Sequence, residues 1–471
     1  MPRPPIAPFR SSPTGSLVAL AALAAAFWLV PRAAVAQGHG DQAYEPRGSE
    51  NIEVLSHIPM PAENVADIDI DQEMSRPFAF VARAAYAPGA IGMDVIDFSD
   101  PRNAEVIYEW RIENAELHQG PGALDPKVFE WDGREYVVQS FQFGQGGPNH
   151  TLGAVVFDVT SLPDTSGVEE VARIHSPESP GGFHNIFVYR HSNGRVYLFS
   201  TVNDPYTNVY DLGTVVEDGD GETALVAQVP LPGEESDQYR GYHDFYVGFH
   251  PSTGQDRFYG GGTGGYFVYD VTGIPTPSEA GDAPESDFTM LTSVTGVPGV
   301  RWGHTFTPGP RGRYAVGETE YTLAPLRIFD LQPGLEGEVE TIRGPISAWT
   351  PNWRHLPHNH EMRWPYLFVS AYQDGLQVVN LMDPHDPKTV GWYDTYLGPN
   401  GSPESACNAC RGAFGVDVRN DDGLIVISDQ HTGFWAFRME GFQGWNGDRW
   451  GVPDISSAQD WENGPAGSGG S

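Results

Sequence analysis

The sequence predicts an all-β fold, a seven-bladed β-propeller, on three observations. One short phrase recurs seven times, Gly and Pro punctuate the chain evenly with no long helical pattern between them, and a strand missing from the last repeat is found at the opposite end of the chain. The phrase is a small residue, a run of β-branched and aromatic residues, then an acid or amide. It reads Gly92-Met93-Asp94-Val95-Ile96-Asp97, Gly153-Ala154-Val155-Val156-Phe157-Asp158, Asn208-Val209-Tyr210-Asp211, Gly265-Tyr266-Phe267-Val268-Tyr269-Asp270, Leu326-Arg327-Ile328-Phe329-Asp330 and Gly375-Leu376-Gln377-Val378-Val379-Asn380. A degenerate seventh copy is Gly433-Phe434-Trp435-Ala436-Phe437-Arg438. The copies end at 97, 158, 211, 270, 330, 380 and 438. That spacing suits four short antiparallel strands with long loops.

Taken from the N-terminus, Arg3 and Arg10 precede an apolar run from Leu17 to Val30, and Ala34-Val35-Ala36 stands before Gln37. This is the pattern of a secretory signal peptide over 1–36, read as cleaved rather than as a retained anchor because Pro31 interrupts the apolar core before a small-residue site. No other stretch approaches the 18 or so apolar residues of a membrane span. The expectation is a flexible segment over 37–49, the propeller over 50–440 and a Trp, Gly and Ser-rich tail over 441–471, in a soluble protein that is secreted or periplasmic, with no membrane insertion after cleavage.

Each unit reads as an inner strand, a second strand such as Glu135-Tyr136-Val137-Val138-Gln139, the signature strand, and an outer strand such as Glu105-Val106-Ile107-Tyr108-Glu109. The seventh unit has no outer strand after Arg438. Ile52-Glu53-Val54-Leu55-Ser56-His57-Ile58 resembles the outer strands of the other units, so it is expected to complete the last blade and close the ring. The acid or amide ending each signature strand is expected to hydrogen-bond the following turn rather than to ring a cation.

Composition excludes some partners. Against 62 acidic residues stand 27 basic ones, of which only Lys127 and Lys388 are lysines. Losing Arg3, Arg10 and Arg32 with the signal takes the formal charge from −35 to −38. Such a surface repels nucleic acid and anionic lipid headgroups, and it opposes tight self-association at low salt, though the oligomeric state is left open.

Through Gly92 to Pro101 (GMDVIDFSDP) and Gly375 to Pro384 (GLQVVNLMDP) the chain resembles the LVIVD-repeat β-propeller family of secreted bacterial proteins. The resemblance covers nearly the whole mature chain and implies a propeller. It implies little about activity, and the Ser-Asp-Pro turn is absent from blades two to five and from blade seven.

The histidines point to chemistry. Aligned at the starts of the inner strands are His184 in Gly-Phe-His-Asn-Ile-Phe, His243 in Gly-Tyr-His-Asp-Phe-Tyr, His304 in Trp-Gly-His-Thr-Phe-Thr and His358 in Leu-Pro-His-Asn-His-Glu. Four consecutive blades share the position, while the matching segments near Ala66, Leu124 and Gly415 have none. Inner strands surround the central channel, so these imidazoles crowd its mouth and can converge on one ion. Structural hydrogen bonding between blades is the alternative reading of the same pattern.

His360, two residues beyond His358, and His431, on a loop of the same face, are further candidate ligands. Glu318, Glu320 and Glu361 are the candidate catalytic carboxylates, placed to orient imidazoles by accepting their second N–H. An imidazole site suits a transition metal ion, with iron or copper favoured and zinc possible, rather than calcium or magnesium. The histidine placement is also similar to that of the carotenoid-cleaving oxygenases and, more loosely, of the methanethiol oxidase and selenium-binding propellers. This likeness implies a redox metal with an open position. The expected function is a metal-dependent oxidoreductase of oxygenase or oxidase type acting on a small-molecule substrate at the channel mouth. The alternative is a secreted binding or scaffold propeller without chemistry.

Cys407 and Cys410 are the only cysteines, and in an oxidising compartment a local disulfide is the expected state, with a thiol redox pair or soft-metal ligands as alternatives. No Gly-x-Ser-x-Gly elbow, Walker loop or dinucleotide fingerprint in a strand-to-helix turn is present. Gly260 to Gly265 is expected to be a loop between strands rather than a phosphate cradle.

Overall fold

A computed structural model describes residues 47–450 except 62–63, 85–90, 145, 177–180, 220, 234–240, 282–283, 322, 354–355, 397–409 and 448–449. The segment expected to be a signal peptide, most of 37–49, the tail beyond 450 and Cys407 of the expected disulfide lie outside the described residues.

Seven four-stranded antiparallel sheets form the blades of a propeller. Every signature phrase forms the third strand of its blade, as in Gly92–Asp97, Leu152–Asp158 and Gly433–Met439. The reason lies in the phrase itself. β-Branched and aromatic side chains fill both faces of a strand sandwiched between neighbouring blades, and in Leu152–Asp158 all seven residues are buried.

The acid that ends the strand then accepts from the turn. Asp97 Oδ1 takes the Ser99 N–H at 2.8 Å, Asp158 that of Thr160 at 3.0 Å, Asp270 that of Thr272 at 3.0 Å and Asn380 that of Met382 at 2.8 Å. In blade three the same residue caps a helix, Asp211 accepting from Thr214 N at the start of Leu212–Asp218.

The ring closes as the sequence predicts. Ile52–Ile58 pairs antiparallel with Gly433–Met439, Ile52 facing Met439 and His57 facing Trp435, and becomes the outer strand of blade seven. The His57 ring stacks on Trp435 at 3.7 Å between centroids, and its Nε2 meets the Thr432 carbonyl at 2.8 Å. Past the last strand, Phe442 packs into the blade-seven core and the Trp445 indole N–H donates to the Trp364 carbonyl at 2.9 Å, so the first part of the tail docks on blades six and seven.

One expectation changes. The glycines from 260 to 262 end the second strand of blade four, Gln255–Gly262, and only Thr263 and Gly264 separate it from Gly265–Asp270. Their bareness serves close approach rather than loop flexibility. A Cβ on Gly261 would lie 2.0 Å from the His304 carbonyl oxygen, so this glycine lets the segment that carries His304 press against blade four.

Candidate metal centre

The seven inner strands begin on one face, and the predicted histidines stand there side by side. Ring centroids are 4.6 Å apart for His184 and His243, 4.0 Å for His243 and His304, and 5.0 Å for His304 and His358. Beyond His358 the arc continues with the Phe414 ring at 4.1 Å, so in blade seven a phenyl takes the place of an imidazole. The histidines form an arc on one sector of the mouth, each touching the next.

Hydrogen bonds set the tautomers. His358 Nδ1 lies 2.7 Å from the Phe414 carbonyl, and His184 Nδ1 lies 2.8 Å from Gln142 Oε1. An amide or carbonyl oxygen only accepts, so Nδ1 carries the proton in both and Nε2 keeps its lone pair. His304 Nδ1 stands 2.7 Å from both the Thr305 hydroxyl and Glu318 Oε2. The Glu318 contact is at ion-pair distance without the alignment of a good hydrogen bond, since neither carboxylate oxygen has an aligned partner among the described residues.

On the other edge of the same ring, buried His304 Nε2 has no hydrogen-bond partner among the described residues and faces Glu320 Oε2 at 3.7 Å. One ligand atom each from His243, His304 and Glu320 all lie within 4.8 Å of one another. Two nitrogens bound to one ion at about 2.1 Å each can be no more than about 4.2 Å apart. The three atoms are grouped on the scale at which one ion could be shared.

Burial tunes the groups. His304 is held well below its ordinary range by desolvation and then by His243, His358 and His184 beside it, and burial likewise lowers His358. Both are neutral and ligand-competent at physiological pH. Glu318 is fully buried and pushed well above the carboxylate range by desolvation, with Glu320 adding to the shift.

The remaining predicted residues are placed elsewhere. His360 is fully buried, with its pKa lowered to about 3 by burial and by His358, and the Val316 backbone is its polar neighbour. His431 packs its ring 5.3 Å from Tyr396, and no contact among the described residues joins it to the arc. Glu361 pairs with Arg363 at 2.9 Å and accepts from the Tyr246 hydroxyl at 3.3 Å, on the axis below the mouth rather than among the histidines. Glu320 sits among the possible ligands rather than behind them.

Sequence reasoning missed a second ring. One and three residues beyond the histidine position, Asp67, Asp69, Asp125, Asp244, Glu361 and Asp417 line an axial cavity of about 30 Å³ with Lys127 among them. Several tie one blade to the next. Asp69 accepts from Val128 N at 2.8 Å, Asp125 from Ile186 N at 3.0 Å and Asp417 from Ile70 N at 3.0 Å. Burial raises Asp69 and Asp244 to about 7, and Lys127, although desolvated, is held charged by Asp125, Asp69 and Asp67. The signal was available in the period-two charged residues of the inner strands, Asp67 with Asp69 and Asp125 with Lys127.

A small polar cleft opens beside the arc between blades three and four, lined by His184 and His243 together with Gln142, Thr201 and Asn203. Among the described residues no helix is long and apolar enough to cross a membrane. What the geometry establishes is a seven-bladed propeller whose channel mouth holds a possible His/Glu triad. The chain matches no family model and no curated protein.

Proposed function

We propose that the channel mouth binds a transition metal ion through His243, His304 and Glu320, with His184 and His358 flanking, and that the protein is a metal-dependent oxidoreductase of oxygenase or oxidase type, exported from the cytoplasm. The observation that carries this reading is His304 Nε2, a buried nitrogen with no hydrogen-bond partner among the described residues, 3.7 Å from a carboxylate oxygen. Leaving such an atom unmatched costs roughly 1–3 kcal/mol, and a bound cation removes that cost.

Two imidazoles and one carboxylate with further positions open suit iron(II) best among the common ions, with copper and zinc next. A metal bound there supplies a Lewis-acidic, redox-active centre with positions that protein does not fill. The chain's own residues then orient and select. Gln142 and the Phe414 carbonyl fix the flanking tautomers, Glu318 backs His304, and the cleft beside His184 and His243 admits a small polar molecule.

A second reading has its own support. The His184 bond to Gln142 joins blade three to blade two, and the His358 bond to Phe414 joins blade six to blade seven, which is what structural histidines in a binding propeller would do. Elemental analysis separates the two. Full-length protein purified without chelator, or reconstituted with Fe²⁺, Cu²⁺ or Zn²⁺, is expected to hold about one ion that H243A and H304A lose. Metal-free protein that refuses all three ions would leave the binding propeller standing.

A further inference from the structure

Glu320 reaches the arc from the loop that follows the second strand of blade five, Tyr314–Gly317, and about a quarter of its side chain is exposed. A carboxylate on such a loop would ordinarily swing into solvent. Among the described residues, a hydrogen bond from the neighbouring blade holds it. The hydroxyl of Tyr372, from blade six, donates to Glu320 Oε1 at 2.5 Å, and Tyr372 is 1% exposed.

Tyr372 is itself constrained more tightly than a packing residue needs to be. Its φ is +42°, in the left-handed region that a bulky residue avoids. The strain is held by a two-way backbone bridge, Tyr372 N to the Ala413 carbonyl at 3.0 Å and Ala413 N to the Tyr372 carbonyl at 2.9 Å. Gly412 permits that approach, because a Cβ there would lie 2.2 Å from the Tyr372 carbonyl oxygen. With the backbone so fixed, the phenol ring packs 4.7 Å from His358 and its hydroxyl ends on Glu320.

We infer that Tyr372 is the positioning residue of the centre: by occupying Oε1 of Glu320 it leaves Oε2 as the oxygen presented to His304 and His243. The inference rests on the metal reading given above and deepens it, because it makes Glu320 a one-oxygen ligand whose orientation is set from the neighbouring blade. A carboxylate bound through a single oxygen, with the other oxygen already hydrogen-bonded, leaves more of the ion's coordination sphere for a small molecule than a two-oxygen one. Backbone strain concentrated at this contact agrees with a role in the site.

The test is a double-mutant cycle in the full-length protein, read as Zn²⁺ affinity by competition with a metallochromic chelator. Y372F is expected to weaken Zn²⁺ binding about tenfold to a hundredfold. E320Q weakens it further, and Y372F added to E320Q changes nothing more, since the phenol acts through that carboxylate. At saturating Co²⁺ the visible d–d bands shift in Y372F and hold still in Y366F, a change in the same blade away from the mouth. Apo Y372F melting close to the parent protein shows that folding is not the cause.

Parent-like Zn²⁺ affinity and parent-like d–d bands in Y372F would overturn the inference while the metal centre stood. An equal loss from Y372F on the E320Q background overturns it also. A parent protein that binds neither ion overturns the metal reading and this inference with it.

Discussion

His304 stands between two carboxylates, its Nδ1 2.7 Å from Glu318 Oε2 and its Nε2 3.7 Å from Glu320 Oε2. The two contacts differ in kind. Glu318 is buried behind the ring and raised well above the carboxylate range by desolvation, while Glu320 is partly open to the mouth. A cation at Nε2 would favour the ionised form of Glu318, and the carboxylate would then hold the proton on Nδ1.

E318Q separates orientation from stability. The amide keeps the shape and ends the cost of a buried ionisable group, so apo stability stays level or rises. It also presents an N–H₂ that Nδ1 can accept from, which moves the ring proton to Nε2 and blocks the ligand atom. Metal affinity is expected to fall about tenfold to a hundredfold. Calorimetric titration beside thermal melts of the apo protein reads both, and a parallel loss in the two would assign Glu318 a purely structural role.

The axial carboxylates predict a pH dependence of the opposite sign to ordinary surface acids. Asp69 titrates near 7 in the folded chain, through burial and then Asp125 and Glu361 against the pull of Lys127 and the Val128 N–H, whereas an unfolded Asp titrates near 3.8. The folded state therefore holds a proton that the unfolded chain has lost between those values. Its stabilising contribution is complete below pH about 4 and is lost as pH rises through 7, with a slope of at most about 1.4 kcal/mol per pH unit. D69N keeps an acceptor for Val128 N and cannot ionise. Melting curves from pH 4.5 to 8.5 should converge at the acid end and favour D69N at the alkaline end; parallel curves refute the assignment.

In blade seven Phe414 holds the histidine position, and close packing at the next residue, Gly415, yields a further prediction. A Cβ on Gly415 would lie 2.0 Å from Asp67 Oδ1 and 2.7 Å from Ser428 Oγ, because here the inner strand of blade seven meets blade one. Asp67 has little room to withdraw, since its Oδ1 accepts from Ile68 N at 2.8 Å and its Oδ2 from Asn359 Nδ2 at 2.5 Å. G415A is expected to cost about 1–3 kcal/mol, visible as a lower urea midpoint with an unchanged slope. A parent-like midpoint would mean that the interface yields more easily than close packing allows.

These positions show what the sequence carries and what it hides. The signature phrase is local, since its hydrophobic run and terminal acid act within one strand and its turn, and it is legible in six copies and recognisable in the seventh. The histidine position is also local within each repeat, so its recurrence is visible. Convergence is not local. That Glu320 joins the histidine arc while Glu361 drops to the axis depends on which edge of a neighbouring blade each faces, and blades are about 50 to 60 residues apart in sequence. Tyr372 was invisible for the same reason, its partner lying 52 positions away.

Closure of the ring gives the last prediction. Ile52–Ile58 contributes the outer edge of blade seven from the other end of the chain, pairing with Met439, Arg438 and Phe437 and then, past a bulge between Val54 and Ser56, with Ala436, Trp435 and Phe434. Ile52 and Leu55 are buried, and each belongs to a different hydrophobic cluster, so the strand spans two layers of core. Removing residues 50–60 would uncover Gly433–Met439 along its whole length, leaving an unpaired edge next to exposed apolar surface. The truncated chain is expected to lose its cooperative thermal transition or to aggregate, while a synthetic peptide of residues 50–60 supplied in trans restores part of the transition. A truncation that melts like the full chain would mean that the first six blades and the three remaining strands of blade seven are stable without the seal.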